Sequence, residues 1–265
     1  MIRFILTLLY VILFLILLLP VMLVEWIIGK FNRHAGDIAS LRTVQWGFKC
    51  CLFLSGVKAE IRGLENLTKD PDKPMLYIGN HNGFFDVILM YTLFHERTGF
   101  IAKKSFKKVP SLNLWMMRLY CLFLDRKDTK QGLKTILTAI DYVKQGISMF
   151  VFPEGTRSKD GKMIPFKAGP FKISTKTGCP IVPVVFSGTA DVLENHMPFI
   201  KKQHVVVTIG EPIDPNSLEK EEKKHIAEYT QNIMQTMLDE NDALLADIRS
   251  GQKRIESSSD KSRNR

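Results

Sequence analysis

Twenty-one consecutive residues without a charge, FILTLLYVILFLILLLPVMLV from Phe4 to Val24, constrain this chain more than any other feature. As one helix they span about 31 Å at roughly 1.5 Å per residue, the thickness of a bilayer's hydrocarbon core. A cleaved signal peptide carries a shorter apolar region and a small-residue cleavage site, and neither is seen here. The run therefore reads as a retained membrane anchor, either spanning the bilayer or lying in one leaflet, with Pro20 as the place for a kink. More positive charge follows it (Lys30, Arg33, Arg42) than precedes it (Arg3 and the amino terminus). That bias predicts the rest of the chain on the cytoplasmic side. Residues 40–55 mix Leu41, Val44, Trp46, Phe48 and Leu52 with Arg42, Gln45 and Lys49, and read as an interfacial or docking helix. Trp26 and Trp46 suit an interface or a core equally.

Behind this segment strands alternate with helices. VKAEIRG (57–63) alternates apolar and charged residues as a half-buried strand does. MLYIG (75–79), GFIA (99–102), CLFLDR (121–126), ISMFVF (147–152), IVPVVF (181–186) and HVVVTIG (204–210) are further strand candidates. Helices are predicted over 84–94, over 129–144, after Ala168, and from about Ser217 to Ile248. In the second, Leu133, Ile136, Leu137, Ile140 and Val143 fall at helical spacing; in the last, Ile226, Tyr229, Ile233 and Met237 do. The fold class is therefore α/β, a largely parallel mixed sheet covered by helices on both sides, with an N-terminal hydrophobic helical segment. The expected division is 1–55 as a membrane-anchoring segment, 56–249 as the catalytic domain, and 250–265 as a disordered polar tail.

Thirty-seven basic residues against 27 acidic ones give a net charge of +10. Such a surface suits an anionic partner: nucleic acid, a membrane or a phosphorylated substrate. No nucleic-acid motif accompanies it, and the lysine-rich stretch AKKSFKKVP (102–110) lacks interleaved stacking aromatics, so a nucleic-acid partner is not expected. Those lysines suit a phosphate or anionic lipid headgroups. Cys50, Cys51, Cys121 and Cys179 form no CxxC pair and read as reduced thiols in a cytosolic compartment. No His or Cys set stands at metal-ligand spacing, so no metal is expected.

Two turns carry ionisable groups just past predicted strand ends, where α/β sheets build their sites. GNHNGFFD (79–86) places His81 after one strand and Asp86 early in the next helix. Gly83 lets the turn fold Asp86 back toward the ring, and Asn80 or Asn82 suits a helix cap. A neutral imidazole takes a proton near neutral pH, and a carboxylate on its other nitrogen fixes the tautomer. The plainer alternative is a turn histidine beside an aspartate that favours a helix N-terminus. No GxSxG and no partnered Ser or Cys nucleophile is present, so a catalytic His81 would act on the substrate's own hydroxyl. FPEGTRS (152–158) ends another strand. Arg157 offers a fork of donors suited to phosphate, while Glu154 either holds Arg157, binds a substrate group or orients the turn.

Together and in this order, NHNGFFD (80–86), AKKSFKKVPSLNLWMMRLYCLFLDR (102–126), FPEGTRS (152–158) and CPIVPVVFSGT (179–189) resemble the four motif blocks of the glycerolipid acyltransferases, specifically the 1-acyl-sn-glycerol-3-phosphate acyltransferases. The resemblance covers roughly 57–215. It implies an acyltransferase of the EC 2.3.1 class that moves a fatty acyl group from acyl-CoA or acyl-carrier protein to the sn-2 hydroxyl of 1-acylglycerol-3-phosphate, giving phosphatidic acid. It implies His81 as general base with Asp86 as its partner. It implies Arg157 and Lys103 on the acceptor phosphate, with Lys104 and Arg126 helping. Glu154, Gly155 and Thr156 would shape the acceptor site, and Pro183 would support it. The acyl donor is a co-substrate and no cofactor is implied. The expected partners are a lysophospholipid, the acyl donor and a membrane, and the expected location is a bacterial inner membrane with the catalytic domain in the cytoplasm. The first block departs from the commoner Asn-His-Gln-Ser by reading Asn80-His81-Asn82-Gly83, and Asn113 stands where a glycine is common. Those departures leave open another lysophospholipid or a lyso-ornithine lipid as acceptor, and a non-catalytic, membrane-anchored lipid-binding protein is the alternative from another class.

Overall fold

The computed structural model describes the backbone of residues 1–263 and the side chains of 1–251. Three helices lead, α1 (Ile2–Leu17), α2 (Leu19–Phe31) and α3 (Arg33–Ser55). Then come β1 (Lys58–Arg62), β2 (Leu76–Gly79), α4 (Phe84–Leu93), β3 (Thr98–Lys103), α5 (Leu112–Arg118), β4 (Leu122–Leu124), α6 (Thr129–Lys144) and β5 (Ser148–Val151). The chain closes with α7 (Lys172–Thr177), β6 (Ile181–Ser187), β7 (His204–Ile209), α8 (Lys220–Lys224) and α9 (Ile226–Arg263). The backbone of α9 enters the segment read as a polar tail over 250–265; beyond Gly251 that segment's side chains lie outside the described ones.

Seven strands form one sheet in the order β1-β7-β6-β2-β5-β3-β4. Only β6 and β7 pair antiparallel. The five strands β6, β2, β5, β3 and β4 are mutually parallel neighbours, so all five deliver the loops at their carboxyl ends to one edge of the sheet. Strand β2 lies between β6 and β5, with Ile78 facing both Pro183 and Val151. That register brings the turns after β2, β5 and β6 together, although they are far apart in sequence.

One apolar layer joins Tyr77, Phe100, Phe150 and Phe186 of the sheet to Leu41 of α3 and Phe85 and Leu89 of α4. The other joins Leu76, Met149 and Ile181 to Ala139, Ile140 and Val143 of α6 and Met234 and Leu238 of α9. Each layer removes water from a full face of the sheet, which is why the central strands read as near-continuous apolar runs.

Four expectations change in detail. The apolar run does not make one helix. It breaks at Leu18 into α1 and α2, bent by 46°, and no single helix among the described residues is long and apolar enough to cross a membrane. Pro20 has no N–H to give the carbonyl four residues back, so one rod cannot pass it undisturbed. Second, residues 40–55 form part of a longer helix, α3, and of the two readings offered the packing supports docking: Leu41 and Val44 belong to the same core as Tyr77, and buried Gln45 donates to the carbonyls of Tyr91 and Phe94 at the end of α4. Third, β1 is an edge strand and mostly exposed, where a half-buried one was predicted. Fourth, α6 keeps its predicted bounds but only part of its predicted face: Ile140 and Val143 are buried and Ile136 packs against the core, whereas Leu133 and Leu137 turn outward. Thr135, Ala139 and Val143 lie against the sheet, while Leu133 and Leu137 are about half exposed. The smaller side chains at i, i+4 and i+8 let the helix approach closely, which turns the leucines outward.

Candidate active site

His81 stands two residues beyond β2, the central strand of the seven. Its Nδ1 lies 2.9 Å from Asp86 Oδ2. The same oxygen accepts the backbone N–H of Asn82 at 2.7 Å and of Gly83 at 2.8 Å, and Oδ1 accepts the Thr189 hydroxyl at 2.5 Å. Asp86 is fully buried. A carboxylate only accepts, so Nδ1 carries the ring proton and Nε2 is left with a lone pair. The imidazole is packed flat on Phe152, with ring centroids 4.0 Å apart. Asp86 also closes the first turn of α4 from inside, so one side chain both orients the imidazole and caps the helix.

The two asparagines do not cap α4, as the sequence suggested. Asn80 exchanges two hydrogen bonds with the backbone of Phe186, at 3.0 and 2.8 Å, and Asn82 donates to the same carbonyl at 3.0 Å. They stitch the His81 turn to β6, and the helix starts from Gly83 instead.

The turn after β5 is tied to the same place. Glu154 is buried, and its Oε1 accepts the His81 N–H at 2.9 Å while Oε2 accepts the Ile164 N–H at 3.0 Å. Ser158 N–H donates back to the His81 carbonyl at 2.8 Å. Of the three roles open to Glu154 in the sequence, the geometry supports orientation of the turns. Burial pushes its pKa up, partly offset by the two N–H donors. Gly155 turns the chain at φ +73°, a conformation side chains resist. Thr156 and Arg157 beyond it are exposed.

Arg157 does not pair with Glu154. Its Nη1 lies 2.9 Å from Glu194 Oε1, and its guanidinium sits 4.8 Å over the Phe84 ring. Arg126, after β4, has its pKa lowered, first by partial desolvation and then by the Arg157 cation. Lys103 ends β3 and is exposed, with no ion pair among the described residues. Lys104 is spent on Asp125 at 3.2 Å, which weakens the case for it as a free anion ligand. Pro183 lies in the middle of β6, level with Ile78.

Two residues of this site escaped the sequence reading. Thr189, after β6, holds the outer oxygen of Asp86, and Glu194, five residues on, holds Arg157. Position in block four was the only signal for Thr189, and nothing local marks Glu194. Among the described residues no group of three His, Cys, Asp or Glu side chains is placed to hold a metal ion. All four cysteines are free thiols.

A family profile described as Acyltransferase matches residues 58–187, the span that holds the His81 and Arg157 turns. A 1-acyl-sn-glycerol-3-phosphate acyltransferase of Saccharomyces cerevisiae is 31% identical over 210 residues, taking in 76% of this chain and 67% of that one. A chloroplastic protein of the same name from Brassica napus is 38% identical over 136 residues, 51% of this chain and 39% of that one. The chain thus spans about two fifths of the Brassica relative's length. Among solved structures, the crystal structure of a 1-acyl-sn-glycerophosphate acyltransferase from Thermotoga maritima matches with a TM-score of 0.77 at 27% identity, covering 90% of this chain and 96% of that one.

Proposed function

The chain belongs to the acyltransferase family, and from that premise we propose that it transfers a fatty acyl group from a thioester donor, acyl-CoA or acyl-carrier protein, to the sn-2 hydroxyl of 1-acylglycerol-3-phosphate. The reaction needs a base on the acceptor hydroxyl, since a thioester is already activated toward attack. His81 Nε2 takes that proton while Asp86 supports the imidazolium that forms. The oxygen attacks the thioester carbonyl, the C–S bond breaks, and the thiolate leaves with the proton returned from His81. No covalent acyl-enzyme is required. Arg157, Arg126 and Lys103 would hold the acceptor's phosphate.

The single observation that carries this reading is the junction of the two turns. His81 is bonded through its ring to Asp86 and through its backbone to Glu154 and Ser158, so the base and the arginine fork leave one rigid unit. The Arg157 cation acts on Arg126 strongly enough to lower its pKa, and Glu194 is paired with Arg157; that positive charge supports an anionic ligand there.

We further propose that α1 and α2 enter the membrane that supplies the acceptor. Ile2, Leu9, Ile16, Leu17, Leu23 and Val24 are each about half exposed or more, an apolar surface that water does not favour. On the charge bias around it, the site lies on the cytoplasmic side of a bacterial inner membrane.

The test is acyl transfer by detergent-solubilised full-length protein from labelled acyl-CoA and labelled acyl-carrier protein, offered to a panel of lysolipids, with H81A alongside. Transfer to 1-acylglycerol-3-phosphate that vanishes in H81A is the expected result. Preference for another lysophospholipid or a lyso-ornithine lipid moves the acceptor but keeps the chemistry. No transfer by folded protein leaves the lipid-binding alternative.

A further inference from the structure

Glu194 lies outside the four motif blocks, yet it touches two of them at once. Its Oε1 accepts Arg157 Nη1 at 2.9 Å and the backbone N–H of Phe84, the first residue of α4, at 2.8 Å. Its Oε2 is buried with no hydrogen-bond partner among the described residues. A buried carboxylate oxygen left unpaired is costly, so a place for it must be kept by something else.

That place is the missing side chain of Gly83. A Cβ built there would lie 2.4 Å from Glu194 Oε2 and 2.8 Å from Cδ. The backbone of Gly83 is extended, φ −163°, which any residue adopts. Glycine at 83 therefore leaves room for the Glu194 carboxylate, which any side chain there would push aside, and is not required by conformation. The segment bearing Glu194 is itself firmly seated. Val192 is buried in the core and its carbonyl accepts Lys201 N–H, and Asp191 pairs with Arg249 of α9 at 2.9 Å.

We propose that Glu194 is a positioning residue that sets Arg157 for the acceptor's phosphate, in a space that glycine at position 83 leaves open; this rests on the acceptor reading above. Glu194 takes one face of the guanidinium fork and Phe84 stacks beneath it, so Nη2 and Nε remain as a fixed pair of donors. A free arginine would pay rotamer entropy each time a phosphate bound. Here that ordering is done before the ligand arrives, and it is done from the helix that carries Asp86. The site for the phosphate and the site for the proton are thereby referenced to the same first turn.

The experiment is acyl transfer at saturating donor with 1-acylglycerol-3-phosphate varied, for full-length wild type, E194A, R157A and E194A/R157A. E194A is expected to raise the acceptor KM about tenfold, with kcat and the donor KM within about twofold. The double variant is expected to be no worse than R157A, because Glu194 acts through Arg157. E194Q, whose amide oxygen still accepts a hydrogen bond, should recover part of the loss. G83A pushes the carboxylate aside with Glu194 still present; it should raise the acceptor KM a few-fold and do nothing more in the E194A background. If E194A does not fold, G83A decides alone. An acceptor KM that is unchanged or lower in E194A or G83A, or losses that add in the double variant, overturns the inference while leaving the transferase reading intact. A wild type that transfers to no acceptor overturns both.

Discussion

The His81 turn and the Arg157 turn leave neighbouring parallel strands, level with each other at Ile78 and Val151, yet they are held in opposite ways. Around His81 nearly every polar group is buried and paired: Asp86 receives four donors, and the two asparagines are consumed by one backbone unit of β6. Arg157 stands partly in solvent on a single ion pair and a ring face. The contrast fits what the proposed reaction asks of each end. Proton transfer requires fixed angles and short distances, which only a packed, saturated turn maintains. Capture of a charged headgroup requires a reachable cation, and long-range attraction tolerates looser geometry. One turn should therefore govern kcat and the other the acceptor KM.

Removing the proposed base is the most severe way to press on that division. H81A should lower kcat by about 10²–10⁴-fold, the usual worth of a general base, with the acceptor KM nearly unchanged in steady-state kinetics. A comparable rise in KM would mean that the two turns do not divide the work. R157A should do the reverse. It should raise the acceptor KM by roughly 10–100-fold, as expected for a lost charge-assisted hydrogen bond of about 1.5–3 kcal/mol, and leave kcat within a few-fold.

T189V sharpens the comparison from inside the buried end. It keeps the shape but leaves Asp86 Oδ1 without its hydroxyl donor in a site closed to water. A loss of about 1–3 kcal/mol in denaturant-measured stability is expected, with a several-fold fall in kcat and little change in KM. T189S should restore most of both. The gentlest test is pH. Burial raises the Glu154 pKa in the folded state above its ordinary glutamate value. Its protonation therefore favours the fold, and that contribution is present at acid pH and lost as pH rises through the raised value. Denaturation midpoints of wild type should decline relative to E154Q as pH is raised from the ordinary glutamate range upward. A parallel pair of curves would show that Glu154 does not carry that linkage.

Much of the architecture was legible because it repeats a local pattern. Each predicted strand is found: apolar runs bounded by turns mark the strands buried on both faces, and alternation marks the exposed edge strand β1. Helix α6 has the predicted bounds because Asp128 caps its first turn and Gly146 follows its end. The faces were less legible. Spacing alone offered Leu133 and Leu137 to the core, and the small residues Thr135 and Ala139 won because the sheet lies close. The break at Leu18 was readable only as the possibility of a kink at Pro20; its 46° angle depends on how α1 and α2 each pack on α3, with Phe14 against Trp46 and Trp115.

By itself the sequence determined the alternation of strands and helices, the apolar leading segment, and the five-residue step from His81 to Asp86, because these are set by neighbours within one or two turns of chain. It also supplied Arg157 beside Gly155. The tertiary structure alone decided what those residues meet. It put Glu154 on the His81 backbone instead of on Arg157, gave Thr189 to Asp86 across 103 positions, and gave Glu194 to Arg157 across 37. The reason is topological. Parallel pairing of β6, β2 and β5 gathers loops that no local rule connects, and hydrogen-bond partners in a buried site are chosen by proximity in space.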